Sequence, residues 1–397
     1  MTIKNIQVES TKKTVSLSAD MQFKSGNSNR IFFSVDKKYS KFFVKDASPF
    51  LAVVLFSCMK ISENITIEGS VSEKLLKSTQ KIMSLLESWN MGMRRISIKV
   101  KQAGKDAFKK KNVALFFSGG VDSSYTYLKN KKEGKNKITH LITVHGFDIK
   151  LENESLFNEA ITPIMNFAKT EKVEVIVVRT NIRQITDRYV EWEDQCGSAM
   201  GAVCLALRNG LKEVYMSAGV ELTAMRPVGS HPDLDPLWST ETLRVIHDGI
   251  ERNRLEKVRY LSVSDKMLIN LRVCWRNKKG SYNCCECEKC FRTMIMLEAV
   301  GALGKSKSFN KPINLSILRK LYVVRTHLRH FRHTLEELKN KKTNPELVEA
   351  LEDCLHYNEQ NKLLKEFIRK AKHMIGKIDF KYNNGKLFYY LSNKGVI

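Results

Sequence analysis

The sequence predicts an α/β protein: a parallel sheet with flanking helices, preceded by an α+β segment and followed by a basic helical extension. Three observations predict it. From Asn112, short apolar runs alternate with stretches whose apolar residues recur at helical spacing, as in strand–helix–strand crossovers. The first of those runs ends in a glycine-rich loop that opens onto a helical stretch. From residue 305 onward the strand signals cease and basic residues dominate, twenty Lys/Arg against nine Asp/Glu.

Residues 1–105 read as a separate α+β domain, a cap or recognition module. Arg30–Val35 and Arg95–Val100 have strand character, and Pro49–Lys60 and Ser72–Trp89 carry helical spacing. Residues 106–304 form the predicted parallel α/β domain. Its strands are Val113–Phe117, Ile138–His145, Val173–Val178 and Glu213–Met216; its helices run through Leu128, over Glu154–Thr170 and over Gly197–Asn209. Helices of this length between strands imply right-handed crossovers and a parallel sheet. Ligands of such sheets bind at the carboxyl ends of the strands, where the glycine loop, His145–Asp148 and Arg179–Asn181 all fall. Residues 305–397 are the basic helical region. Its knot of Arg325, His327, Arg329, His330, Arg332 and His333 reads either as a polyanion contact or as a solvated helix face.

The chain has 397 residues, 43% of them hydrophobic, enough for one large core or one large and one small. No N-terminal stretch joins a basic head to an apolar signal segment, and the longest apolar run, Phe50–Met59, is too short to span a bilayer. The expectation is a soluble, cytoplasmic protein with no membrane span, and a homodimer is compatible with it. A net charge of +25 raises the encounter rate with RNA, other polyanions or anionic membranes. Because the lysines are scattered, it reads equally well as a solvated basic surface.

The loop is Ser118-Gly119-Gly120-Val121-Asp122-Ser123, followed by Ser124. Two glycines let the backbone turn so that several N–H groups converge on an anion, and the helix that follows adds the positive end of its dipole. Ser118, Ser123 and Ser124 offer hydroxyls to phosphate oxygens. Asp122 would repel phosphate unless a divalent cation intervenes or the carboxylate holds the shape of the loop. The chain carries neither Gly-x-x-x-x-Gly-Lys-Ser/Thr nor Gly-x-Gly-x-x-Gly, which argues against a Walker-type NTPase and against dinucleotide binding.

The string Ser118–Ser123 resembles the signature of the PP-loop (N-type) ATP pyrophosphatases. The resemblance implies an adenine nucleotide alpha hydrolase-like fold and cleavage of ATP to AMP and pyrophosphate. It gives Ser118, Gly119, Gly120, Asp122 and Ser123 the phosphate and Mg2+ roles, with Asp122, Ser118 and Ser123 catalytic. His145 and Asp148, at the end of the second strand, stand where that superfamily contacts adenine and ribose.

Five cysteines, Cys274, Cys284, Cys285, Cys287 and Cys290, fall within 17 residues. In a chain without a secretion signal this points to metal rather than disulfides. Cys274, Cys284, Cys287 and Cys290 supply four thiolates for a closed, structural Zn2+ shell, and an iron–sulfur cluster uses the same ligand type. Cys285 is the spare. Lys278, Lys279, Lys289 and Arg292 offset part of the thiolate charge. The loop together with this cysteine spacing and the trailing Cys290-Phe-Arg292 resembles the 7-cyano-7-deazaguanine synthases (QueC-like proteins) over residues 112–300. Residues 1–105 and 305–397 have no counterpart in the stand-alone synthase.

Between the two motifs lies Arg226-Pro-Val-Gly-Ser-His231-Pro-Asp233-Leu-Asp235-Pro-Leu-Trp238, which contains three of the seven prolines. Arg226, His231, Asp233, Asp235, Trp238 and, just beyond, Asp248 are candidate substrate contacts; the plainer alternative is that they cap helices and fix turns. A general base near neutral pH falls to His231 or His247. Cys196, with no paired histidine nearby in sequence, reads as a small buried residue rather than a nucleophile.

The reading is an ATP-dependent ligase that adenylates a carboxylate or amide of a small molecule or peptide for attack by a nitrogen nucleophile. A tRNA-modifying PP-loop enzyme and a non-catalytic ATP-binding module, for example in a defence system, stand as alternatives.

Overall fold

Val113, Ala114 and Leu115 are buried in succession, as a strand covered on both faces requires. They belong to β6 (Asn112–Phe116), the centre of a parallel block in a ten-stranded sheet. The computed structural model describes residues 1–24, 26, 28–105, 111–274, 276, 281–361, 371 and 374–375. The start of the predicted second domain (106–110), Lys278, Lys279 and most of the extension beyond 361 lie outside them.

The parallel block comprises β6, β7 (His140–His145), β8 (Glu174–Thr180), β9 (Leu211–Ser217) and β10 (Arg244–Asp248) in the order β10-β9-β6-β7-β8. After β6 the chain moves outward to β7 and β8, then returns to the other side of β6 for β9 and β10. The direction of winding therefore reverses between β6 and β9. In open α/β sheets that reversal opens a crevice at the carboxyl ends of the strands, and the glycine loop leaves β6 at this point. The connecting helices are α3 (Val121–Glu133), α4 (Glu154–Glu171) and α6 (Trp192–Ala206).

Residues 1–105 do not stand apart. Strands β1 (Thr2–Ser10), β2 (Thr14–Gln22) and β3 (Ser28–Asp36) form an antiparallel meander; β4 (Ile65–Ser72) and β5 (Ile98–Gly104) continue it in parallel. β3 then pairs antiparallel with β8, Phe33 opposite Thr180 and Ser34 opposite Arg179. Asn181 extends this seam by one rung, its carboxamide accepting from Phe32 N at 3.1 Å and donating to Arg30 O at 2.8 Å.

Helix α1 (Ser48–Ile61) is buried from Ser48 to Met59. Phe50 meets Phe33 at 5.7 Å between ring centroids, and Phe56 meets Trp238 at 5.9 Å. Asp46 forms a buried ion pair with Arg208, from the other half of the same core. The expected boundaries at 105/106 and 304/305 are thus corrected. The compact units are Met1–Arg272 and Val273–Ile397, because the first 105 residues complete the sheet and its core instead of capping it.

The second unit is helical in its described residues. Helices α9 (Glu288–Ala299), α11 (Leu328–Lys341) and α12 (Pro345–Gln360) bury Phe291, Ile295, Phe331, Leu338, Leu351 and Cys354 together. No helix among the described residues is long and apolar enough to cross a membrane.

Candidate functional site

The loop after β6 turns on Gly119, whose φ of +71° lies in the left-handed region; a Cβ there would sit 3.2 Å from Asn270 O. Gly119 O accepts from Arg272 N at 2.8 Å, and Gly120 N approaches Ser118 Oγ at 3.4 Å. Ser123 Oγ donates to Gly120 O at 3.2 Å. The helical ladder of α3 begins with Ser124 N to Gly120 O at 3.0 Å. The amides of Val121, Asp122 and Ser123 precede that ladder, at the positive end of the helix dipole. Ser118 is exposed, whereas Ser123 and Ser124 are buried. The loop therefore leaves Ser118 exposed and uses the Ser123 hydroxyl internally.

Asp122 is held by cations. Its carboxylate accepts from Arg254 Nη1 at 2.7 Å and from Lys257 Nζ at 3.3 Å. Both come from α7 (Arg254–Leu261), which is fixed in place by an Asn253/Glu256 capping box. Lys257 is 2% exposed and also donates to Ala218 O, at 2.6 Å, just past the end of β9. Two cations against one carboxylate leave net positive charge beneath the loop. Each carboxylate oxygen of Asp122 thus faces one cation of α7. Arg254 and Lys257 were not singled out in the sequence, since a short helix containing Arg254 and Lys257 among other polar residues gives no signal of its own. Ser217 Oγ, which ends β9 beside the winding reversal, is buried and has no hydrogen-bond partner among the described residues.

The remaining expected site residues fall into two groups. His145 is fully buried, stacked on Phe157 at 4.0 Å, with Nε2 to Lys150 O at 3.0 Å; burial pushes its imidazole below the usual value. It supports the β7 turn through its bond to Lys150 O and its stacking on Phe157. That turn is tight: Gly146 has φ +113°, and a Cβ on it would lie 1.9 Å from Thr180 O. Asp148 is exposed. Trp238 is corrected from substrate contact to core. It is 0% exposed, against Phe56 and over Gly201, where a Cβ would come within 2.6 Å of the indole.

The other group converges. His231, 8% exposed, packs edge-on against Trp89 at 4.7 Å and accepts from Asp233 N at 3.1 Å through Nδ1. Burial lowers its imidazole pKa, with a further push from His247. Asp235 is fully buried; its Oδ2 lies 2.7 Å from His247 Nδ1 and accepts from Ser230 Oγ at 2.7 Å. Arg226 pairs with Glu193, and Asp233 is exposed. Asp248 pairs with Lys129 at 2.6 Å, and Lys129 also holds Glu251 at 2.9 Å. The Cys196 thiol is pushed up to about 12, first by burial and then by Asp235, so it is a neutral thiol and a poor nucleophile.

In the second unit the sulfurs of Cys274, Cys284, Cys287 and Cys290 are all buried and lie within 4.8 Å of one another, with Cys284 and Cys290 at 3.9 Å. A tetrahedral ion with metal–sulfur bonds of about 2.3 Å separates its sulfurs by about 3.8 Å, so the four residues can hold a metal such as zinc. Hydrogen bonds from Cys287 and Cys290 pull the Cys274 thiol well below the usual range. Asn283 Oδ1 accepts from Val273 N and Cys274 N at 2.9 and 3.1 Å, tying the two ends of the cysteine loop together. Cys285 points elsewhere. Its φ is +57°, and its sulfur approaches Asn283 O at 3.5 Å and Asn310 Oδ1 at 3.7 Å. Arg292 is 5% exposed and pairs with Glu288 at 3.4 Å.

The basic knot spans a range of burial, with Arg325 and Arg332 exposed and His330 buried. His330 is 2% exposed, Arg332 pairs with Glu359 at 3.2 Å, and His327 lies 3.4 Å from Glu288.

Comparison with protein-family models, curated proteins and solved structures returns no match.

Proposed function

We propose that this chain is an ATP-dependent adenylating enzyme. It splits ATP into AMP and pyrophosphate and activates a carboxylate or amide oxygen for a nitrogen nucleophile. The observation that carries the reading is the placement of Ser118–Ser123. The loop leaves the central strand where the winding reverses, opens α3, and sits on two cations, Arg254 and Lys257, fastened through Asp122. Backbone amides and buried cations suit developing negative charge on a pyrophosphate leaving group. Adenylation replaces a poor leaving group, oxide or hydroxide, with AMP. Magnesium enters this reading with the nucleotide, as Mg-ATP. The four cysteines supply a closed Zn2+ site that orders the loop from 274 to 290.

The test is incubation with Mg-ATP, ammonia and a panel of carboxylates, a deazapurine acid and peptides among them, following AMP and pyrophosphate. Release that depends on one carboxylate, and is lost in Asp122→Asn, is the expected result. ATP binding with neither product would make the chain a nucleotide-binding module instead. A salt-sensitive shift of tRNA would move the acceptor to RNA.

A further inference from the structure

Four loops and strand ends of the first unit meet at Asp235. Ser230 lies on the Pro-rich connection, Asp235 opens the short 3-10 turn Asp235–Trp238, His247 stands one residue from the end of β10, and Gly197 sits in the first turns of α6. Asp235 is completely buried, and its Oδ2 accepts from Ser230 Oγ at 2.7 Å while lying 2.7 Å from His247 Nδ1. Its Oδ1 has no hydrogen-bond partner among the described residues. A Cβ on Gly197 would lie 2.8 Å from that oxygen and 2.0 Å from Gly229 O, so the helix reaches Asp235 only because residue 197 is glycine. Burying a carboxylate this thoroughly, with one oxygen unmatched, costs stability and would be spared by an amide or an alkyl group.

A carboxylate on Nδ1 fixes an imidazole in the tautomer with its proton on that nitrogen. His247 Nε2 is then a lone-pair acceptor, and it has no hydrogen-bond partner among the described residues. β10 lies two strands from β6 across β9, so His247 stands roughly 10 Å from the root of the phosphate loop at the usual strand spacing. That span suits the acyl end of a substrate whose phosphates rest on the loop.

We propose that His247 is the general base of the second half-reaction and that Asp235, steadied by Ser230, is its positioning residue. The inference rests on the adenylation reading. Ammonia or a primary amine attacks the carbonyl carbon of the acyl-adenylate and forms the C–N bond. The bond from that carbon to the AMP phosphate oxygen breaks, and AMP leaves with the electron pair. The proton shed by the nitrogen passes to His247 Nε2, and the resulting imidazolium is balanced by Asp235. His231, whose Nδ1 is occupied by Asp233 N, is not the base.

The first measurement needs no substrate. Long-range 1H–15N spectra of the full chain, with His247 assigned by loss of its signals in His247→Gln, report the tautomer of the ring. The proton on Nδ1 in the wild type, and a shift towards a tautomer mixture in Asp235→Ala, is the expected result. A wild-type ring protonated on Nε2, or one unmoved by Asp235→Ala, overturns the proposal. If Asp235→Ala does not fold, Asp235→Asn, which keeps the volume and removes the charge, takes its place in the kinetic measurement.

That measurement compares ATP–pyrophosphate exchange, which reports adenylate formation, with amine-dependent AMP release. In His247→Gln, and less steeply in Asp235→Asn, AMP release falls by about a hundredfold or more and far more than exchange does. Equal losses in both reactions overturn the proposal. No exchange in the wild type, with the tautomer as expected, overturns the adenylation reading and the base role with it, and leaves Asp235 as the group that orients His247.

Discussion

Asp122 and Arg254 meet at 2.7 Å although 132 residues separate them, and Lys257 completes the triad at 3.3 Å. The glycine loop is thereby tied to α7, which follows the last parallel strand. Its shape depends on charge pairing as well as on its glycines.

Removing the carboxylate strands two cations that are 6% and 2% exposed. Asp122→Ala is expected to lower stability by about 3 kcal/mol, since an unmatched buried charge costs several kcal/mol. Asp122→Asn, which keeps hydrogen-bond acceptance, should lose less. Urea unfolding midpoints of the two variants decide the matter, and equal stability of Asp122→Ala and wild type would remove the triad from any structural role.

Gly146 and Gly219 give a paired test of backbone demand. A Cβ at Gly146 collides with Thr180 O at a φ of +113°, whereas at Gly219 nothing lies within 4 Å. Gly146→Ala is expected to cost about 3 kcal/mol or more and Gly219→Ala less than about 1 kcal/mol. Thermal unfolding of the two side by side reads the difference.

Metal analysis of the purified chain is expected to find one zinc. Cys274→Ser, Cys284→Ser, Cys287→Ser and Cys290→Ser should each abolish or sharply weaken its retention, while Cys285→Ser keeps it. A brown protein carrying iron and sulfide would replace zinc with a cluster on the same thiolates. Retention of metal in Cys287→Ser together with its loss in Cys285→Ser would redraw the ligand set.

Acid should destabilise the fold in two stages. Burial holds His140, His145 and His231 below the ordinary imidazole value. The unfolded chain therefore takes up these protons first, and stability falls as pH drops below about 6.5. Burial opposes ionisation of Glu251, but hydrogen bonds from Lys129 and Tyr125 bring it down to about 2. Its contribution is full above the unfolded value of 4.5 and disappears as pH falls towards 2. Urea midpoints between pH 7.5 and pH 3 should trace both stages, with the upper one shallower in His145→Gln. A midpoint constant from about pH 7 to 5 would contradict the buried, neutral histidines.

Local pattern made much of the parallel block legible. Val113–Phe117 and Val173–Val178 fall on β6 and β8 because strands buried on both faces are unbroken apolar runs. β10 is not legible because Arg-Val-Ile-His-Asp is five residues long and ends in two polar residues. The seam between β3 and β8 was not legible either. Pairing between residues 33 and 180 is set by tertiary packing, and no local periodicity encodes it. At the site, the glycine loop and the cysteine spacing were readable because each is a compact string. The union of Asp235 with His247, and of Asp122 with Lys257, joins residues 12 and 135 positions apart. Only the fold brings them together. Trp238 misled for a related reason: an aromatic in a Pro-rich polar stretch resembles a binding residue, yet it fills the space over Gly201.

The seam has a consequence for solubility. Glu174–Thr180 holds four consecutive β-branched residues, Val175, Ile176, Val177 and Val178, and a bare margin of that kind invites a second chain to add a strand. β3 docks on its end at Arg179 and Thr180, Tyr39 just beyond β3 donates to Val175 O at 3.1 Å, and the outer margins of the sheet move to β5 and β10. β5 carries exposed Lys99 and Lys101, and β10 is short, both features that discourage strand-to-strand polymerisation. A fragment cut at residue 106 would expose β8 and is expected to aggregate, so the first hundred residues act as the chain's own guard against self-association.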